Sequence, residues 1–281
     1  TQVSPRANVR FKPTPDWTLR LLAGRTARAP KPILAEVCCG QAYQRSVNAD
    51  AERGTTLGFE GIFQPGPGFR ASVYAARTTF DDHLVRVVGW SQVYTQTYTL
   101  GNVPEARADT LEAAVRWSPH PRVQLDASIG WLAFFNTGEE DVAVLVTPPS
   151  FGAPVEVLIP MDRIPYRPLR TGSLSAAWNV GRGVALTASA NYTGEMLIQQ
   201  YDEDPTAAQN ILLPELRRTS DFWLLGVSAQ VPVHHTVELV AAIDNLTDEI
   251  QSDLGDPTTD YNWGPLSGRS WRLGVRWHLD R

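Results

Sequence analysis

Apolar and polar residues alternate along much of this chain, most regularly near its end. In GRSWRLGVRWHL, Trp271, Leu273, Val275, Trp277 and Leu279 alternate with Arg272, Gly274, Arg276 and His278. A period of two sends the two sets to opposite faces of a strand. One face then carries two tryptophans, the other two arginines and a histidine. The pattern recurs upstream: Leu57, Phe59, Gly61 and Phe63 oppose Gly58, Glu60 and Ile62. Leu111, Ala113, Val115 and Trp117 oppose Glu112, Ala114 and Arg116. Val123, Leu125, Ala127, Ile129 and Trp131 oppose Gln124, Asp126, Ser128 and Gly130, and Val184, Leu186, Ala188 and Ala190 oppose Thr187, Ser189 and Asn191. The polar faces are charged or small, as a watery lumen allows, and the apolar faces suit lipid or a core.

Punctuation between these stretches is uneven. Short stops occur at Pro13-Thr14-Pro15-Asp16, Gln64-Pro65-Gly66-Pro67-Gly68, Ser118-Pro119-His120-Pro121, Gly181-Arg182-Gly183 and Pro232-Val233-His234-His235. Proline and glycine do not continue a central ladder, so each cluster predicts a turn. Long connections are predicted over 24–52, 79–92, 137–165, 194–218 and 247–268. Alternation of short with long connections is the asymmetry of a transmembrane β-barrel with short periplasmic turns and long extracellular loops. The fold expected is therefore all-β: an antiparallel transmembrane barrel segment of about eleven strands. Phe11, Trp17, Phe63, Phe69, Trp117, Trp178 and Trp277 all fall beside a short turn or the C-terminus. In a barrel they form one interfacial girdle, with amphipathic rings at the lipid headgroups.

Composition narrows the function classes. The 281 residues are 43% hydrophobic and 20% charged, which suits a barrel and a soluble domain equally. No apolar run approaches the roughly 18 residues of a membrane helix, which says nothing against strands. A net charge of −5 argues against nucleic acid as a main partner. The chain begins at Thr1 and is read as a piece of a longer precursor. The two cysteines, Cys38 and Cys39, are adjacent. Zinc ligation does not fit that spacing; a disulfide, vicinal or to a cysteine upstream, and two small free thiols stay open.

Particular motifs carry a family likeness. The pairing of NLTD (Asn245 to Asp248) with a closing GRSWRLGVRW strand resembles the C-terminus of TonB-dependent outer-membrane receptors. SPRANVRFKPTPDWTLRLLAGRTARAP is similar to that family's SPR…RAP hairpin, and NVPEARADTLEAAVRW to one of its barrel strands, with Pro104 and Thr110 where glycines are usual. IPYRPLRTGSLSAAWNV resembles its lead-in to a further strand, and Leu279 stands where an aromatic residue is usual, with Asp280 and Arg281 beyond it.

The resemblance implies that residues 1–281 are the C-terminal part of a receptor barrel in the outer membrane of a Gram-negative bacterium. Plug domain, coupling box and N-terminal strands would lie upstream. It implies energised import of a scarce nutrient, a ferric siderophore first, with cobalamin or haem as other cargoes. Partners would be outer-membrane lipid, the TonB complex through the missing N-terminal part, and the barrel-assembly machinery through the last strand. A passive porin or translocator barrel and a soluble β-sandwich binding module are the alternatives.

No catalytic constellation is visible, and neither an enzyme, a cofactor nor a metal site is expected. His234 and His235 are read as solvated turn residues whose side chains point apart, and Asp81-Asp82, Glu139-Glu140-Asp141 and Asp202-Glu203-Asp204 as solvated loop charge. Ligand binding is expected on loop aromatics and arginines: Tyr43, Arg45, Trp90, Tyr201, Tyr261 and Trp263.

Overall fold

The computed structural model describes residues 3–29, 41–44, 50–89, 96–138, 142–146, 155–159, 162–165, 167–201, 214–250 and 268–277. All regular elements among them are strands. In chain order these are β1 (Arg6–Phe11), β2 (Trp17–Arg28), β3 (Gln41–Gln44), β4 (Glu52–Gly66), β5 (Phe69–Gly89), β6 (Gln96–His120), β7 (Val123–Asn136) and β8 (Val142–Val146). There follow β9 (Val155–Ile159), β10 (Arg170–Gly181), β11 (Val184–Thr193), β12 (Leu197–Tyr201), β13 (Pro214–Arg218), β14 (Phe222–His234), β15 (Val237–Asp244) and β16 (Ser270–Trp277).

Eleven of these stand side by side in the order β1-β2-β4-β5-β6-β7-β10-β11-β14-β15-β16. Each is antiparallel to the next, so the wall is an up-and-down meander. The eleven-strand antiparallel segment expected from alternation is thus the observed architecture. The other five strands belong to the long connections: β3 runs parallel to the far end of β6, and β8–β9 and β12–β13 are separate two-stranded hairpins. These ladders fall where 24–52, 137–165 and 194–218 read as loop.

Every two-residue turn in the wall is preceded by an extra residue. The register shifts by one between Phe63 and Gly66, Trp117 and His120, Asn179 and Gly181, and Pro232 and His234. These bulges explain prolines inside strands: Pro65 and Pro119 sit within them, where a ladder N–H is not required, and Pro232 borders the one at Val233. The turns are correspondingly shorter than the Gly/Pro clusters suggested. In the β10–β11 turn, Arg182 and Gly183 have φ of 52° and 79°, the two left-handed positions of a type I′ hairpin. A Cβ on Gly183 would lie 2.7 Å from Cγ of Pro232 in the neighbouring turn. Gly183→Val is expected to destabilise the folded barrel by about 1–3 kcal/mol, read as a lower temperature for loss of its heat-resistant mobility in detergent.

Of the stretch 79–92, the described residues 79–89 are strand, not loop. β5 continues to Gly89 and β6 starts at Gln96, with rungs from Asp81↔Glu105 to Gly89↔Thr97. Asp81-Asp82-His83 masks this in the sequence because it interrupts the apolar period. The backbone absorbs the break: Asp82 takes φ 54° opposite Pro104, which has no N–H to offer, and no rung forms between them. Asn102 Nδ2 donates to the carbonyl of Asp82 at 2.6 Å and holds the irregularity.

The two faces differ as the alternation predicts, and the apolar face is left uncovered. On it Leu57, Ile129 and Leu273 are 64%, 62% and 88% exposed. A sandwich would bury this face, and here the small buried cluster (Leu84, Val103, Ala106, Ala108) lies instead at the loop end of β5 and β6. The apolar surface needs a nonpolar medium, since leaving it in water forgoes about 25 cal/mol per Å².

Candidate functional site

The polar face is a ladder of cross-strand pairs. Arg20 Nη1 donates to Glu60 Oε2 at 2.7 Å and Arg116 Nε to Asp126 Oδ1 at 2.6 Å, while Gln124, two residues away on the same strand as Asp126, donates Nε2 to its Oδ2 at 2.7 Å. Ser128 and Ser173 share a hydroxyl bond of 2.7 Å, Thr56 and Thr78 one of 2.9 Å. On the last two strands Arg272 meets Asp244 at 2.8 Å and Arg276 meets Glu238 at 3.2 Å. Most of these partners face one another directly in register, the arrangement in which cross-strand side chains interact most strongly. Such pairs satisfy each other and stay accessible to water, so this face can line an aqueous path without binding tightly to what passes.

At the loop end the polar face closes into a denser cluster. Glu52, 8% exposed, accepts the backbone N–H of Leu84 at 2.9 Å through Oε2. The same oxygen lies 2.8 Å from His83 Nδ1, off the line of a straight hydrogen bond, and 3.8 Å from Arg28 Nη2. The His83 ring packs on Phe80 and Phe134 with centroids 4.9 and 4.7 Å away. Asn102 ties this rim to the preceding connection: Asp50 N donates to its Oδ1 at 2.8 Å. The rim thus anchors the point where the long connection before β4 meets β5 and β6.

The NLTD motif has a comparable task. Asn245, at φ 53°, exchanges two 2.8 Å bonds with the backbone of Glu249, and Asp248 Oδ1 accepts the N–H of Arg269 at 2.6 Å. Leu246 N donates to Leu225 O at 2.8 Å. These bonds pin both ends of the last long connection to the sheet and so set the start of β16.

Of the expected ligand-contacting residues, the structure places two. Tyr43 lies on β3 opposite Tyr98 of β6, and Tyr201 ends β12 opposite Pro214. Both are at the loop end, on different connections. Arg45, Trp90, Tyr261 and Trp263 lie outside the described residues, as do Cys38 and Cys39.

Phe11, Trp17, Phe63, Phe69, Trp117, Trp178 and Trp277 occupy the apolar face at the turn end, where Trp17 and Phe63 stack at 4.8 Å and Phe63 meets Phe69 at 6.2 Å. Sequence reasoning missed a second row at the loop end of the same face: Trp131, Tyr192, Trp223 and Trp271. Tyr192 and Trp223 are 5.0 Å apart, and the Tyr192 hydroxyl donates to Asp221 at 2.9 Å. The signal was present as spacing, since Trp271 and Trp277 share parity six residues apart, roughly 20 Å along a strand. The His234 and His235 side chains do not point apart: their ring centroids are 3.8 Å from one another. The bulge at Pro232 and the following turn break the alternation there, and His234 Nδ1 lies 3.0 Å from Thr236 Oγ1.

No group of three or more potential metal ligands occurs among the described residues.

Comparison with known proteins agrees with this geometry. The family described as TonB dependent receptor-like, beta-barrel, matches residues 1–246. Among solved structures, the copper transporter OprC superposes with a TM-score of 0.66 at 15% identity, over 98% of this chain and 39% of that one. The ferric-catecholate import receptor Fiu from K12 E. coli gives 0.66 at 13% identity, over 98% and 34%. The FrpB iron transporter from Neisseria meningitidis gives 0.63 at 14% identity, over 98% and 39%. The chain therefore spans about two fifths or less of the length of these structures. No curated protein matches it in sequence. With most of its length matched by one family of transport receptors, and with that family's wall in its fold, the chain belongs to the TonB-dependent receptor β-barrels, proteins of the Gram-negative outer membrane.

Proposed function

We propose that this chain is the C-terminal part of the barrel wall in a receptor that imports a scarce nutrient under the drive of TonB, with a ferric siderophore as cargo. One observation carries the reading beyond family membership: the uncovered apolar face backs directly onto a polar ladder, so the same strands face lipid and a wet interior. In this reading the plug and coupling box lie in the remainder of the protein, and the barrel-assembly machinery takes the last strand, β16. The turn-end aromatics rest at the periplasmic headgroups. Tyr43, Arg45, Trp90, Tyr201, Tyr261 and Trp263 meet the cargo, since flat aromatic and cationic groups suit a chelated anion. The chain does no bond chemistry. Of the similar structures, one is described as a ferric-catecholate import receptor, one as an iron transporter and one as a copper transporter, which favours a metal complex over cobalamin or haem.

The test is uptake of radioiron-labelled ferric catecholate by cells whose only receptor for it is the full protein containing this chain. Uptake is expected to fall at least about tenfold, a change of ~1.4 kcal/mol or more, when TonB is deleted or the proton gradient is collapsed. Uptake that survives both treatments and rises linearly with concentration would instead identify a passive pore.

A further inference from the structure

The short turns are knit into one continuous rim. Gln64 N donates to Asp16 O at 2.8 Å, Ser118 N to Gly68 O at 2.7 Å and Asn179 N to Arg122 O at 2.7 Å, so each backbone bond joins one turn to the next. Gly183 then lies against Pro232 of the following turn. Two strands separate successive turns, which therefore repeat about every 10 Å along the wall. Three of the four links are main-chain bonds, so charged side chains on this rim are left free for another task.

Those side chains are unevenly charged. Over 12–16, 64–70, 118–122, 181–183 and 232–236 the rim carries Lys12, Arg70, Arg122 and Arg182 against a single acid, Asp16, in a chain whose net charge is −5. All four cations are exposed, and none makes an ion pair among the described residues. Arg70 shows the surplus most directly: it stands opposite Arg116, whose guanidinium is already taken by Asp126 at 2.6 Å. Like charges directly opposite repel, and a further anion relieves that repulsion. The cations do not face lipid. Arg70 takes the polar parity next to outward Phe69, while Lys12, Arg122 and Arg182 lie past the last apolar positions Phe11, Val123 and Val180. The outward strand positions beside the turns hold no arginine or lysine.

We infer that this rim docks on the carboxylates of the peptidoglycan layer beneath the outer membrane. The inference rests on the orientation of such barrels, whose short turns face the periplasm. Beyond the aromatic girdle the medium is water, and the extended polymer there is a glycan carrying acidic peptides. Cations repeated along a bonded edge suit such a polymer: each contact is weak alone, and several engaged together give avidity. Guanidinium groups add bidentate pairing with carboxylate. Phospholipid phosphates would instead call for cations on the outward parity at girdle height, where the rim has none. The tether is electrostatic and exposed, so salt weakens it.

The test is co-sedimentation of the full receptor, in mild detergent, with purified peptidoglycan sacculi. Affinity is expected to fall at least about tenfold when the sacculus carboxyls are amidated, and to be lost in about 1 M salt. The Lys12→Gln/Arg70→Gln/Arg122→Gln/Arg182→Gln variant, with its heat-resistant mobility intact, is expected to lose as much as amidation removes. Arg25→Gln/Arg53→Gln, which takes cations from the loop end, is expected to bind like the unaltered protein. No sedimentation with native sacculi would overturn the inference, as would undiminished binding to amidated sacculi or by the folded rim variant. An equal loss in the loop-end variant would overturn it too, by making the attraction diffuse. Displacement by short-chain phosphatidylglycerol at equal charge would replace peptidoglycan with a phospholipid partner. The assay contains neither cargo nor TonB, so its failure and a failure of the uptake assay are separate results.

Discussion

Replacing Glu52 with alanine is expected to destabilise the loop-end rim by about 1–3 kcal/mol, the cost of leaving a buried amide without its acceptor. The carboxylate is nearly inaccessible, and one of its oxygens serves the Leu84 N–H, His83 Nδ1 and Arg28 together. Without it, the Leu84 N–H stays buried with no acceptor in place and carries its own desolvation cost, and the His83 ring on Phe80 and Phe134 loses the carboxylate beside it. The loss should appear locally, because the pairs along the polar face below do not depend on this contact. Amide exchange in the folded receptor reads it directly: the Leu84 amide should exchange far faster in Glu52→Ala, while Leu224 and Ala241 keep their protection. Glu52→Gln retains an acceptor for Leu84 and should fall between the two. Unchanged exchange at Leu84 in the alanine variant would mean that the rim is held by something other than this carboxylate.

This cluster marks the boundary of what the sequence made legible. The wall was readable because its physics is local: lipid on one face and water on the other force a period of two, and a bulged turn announces itself with glycine or proline. Leu57 to Phe63, Val123 to Trp131 and the closing Trp271 to Trp277 needed only that rule. The rim obeys no such rule. Glu52 and His83 lie 31 positions apart and meet only because β4 and β5 pair in one register, which no period in the sequence reveals. Asp81-Asp82-His83 looked like loop because three polar residues interrupted the pattern, although the ladder continues through them. A left-handed residue set opposite a proline is a solution found in space, not in the sequence.

The arginines on Asp109 show the same limit from another side. Arg77 and Arg107 share the parity of the apolar residues, so each looks like a flaw in an otherwise regular strand. Only register brings Arg77 and Arg107 onto the carboxylate of Asp109, and Arg107 and Arg163 onto the ring of Phe135. The NLTD motif was recognised by likeness, whereas its physical content emerged from Asn245 and Asp248 pinning the last connection. In both cases residue type could be read in advance and partnership could not.

The assignment of faces can be tested with one residue on each. Ile129 sits in the middle of the apolar face of β7, in register with Ala113 and Gly172, and is 62% exposed. Its neighbour Ser128 points the other way and bonds the Ser173 hydroxyl. In lipid, an arginine at position 129 has neither water nor an anion within reach, and the cost near a bilayer midplane is about 2–4 kcal/mol. At position 128 the same arginine extends into water beside Glu112 and Asp126, and the loss is one hydroxyl bond, about 1 kcal/mol. Ile129→Arg should therefore lower the urea midpoint of the receptor in liposomes well below that of Ser128→Arg. A soluble sheet whose exposed side is solvated predicts the reverse, because an exposed isoleucine then exchanges for arginine at almost no cost. Equal midpoints would remove the distinction between lipid and lumen on which the reading of this wall depends.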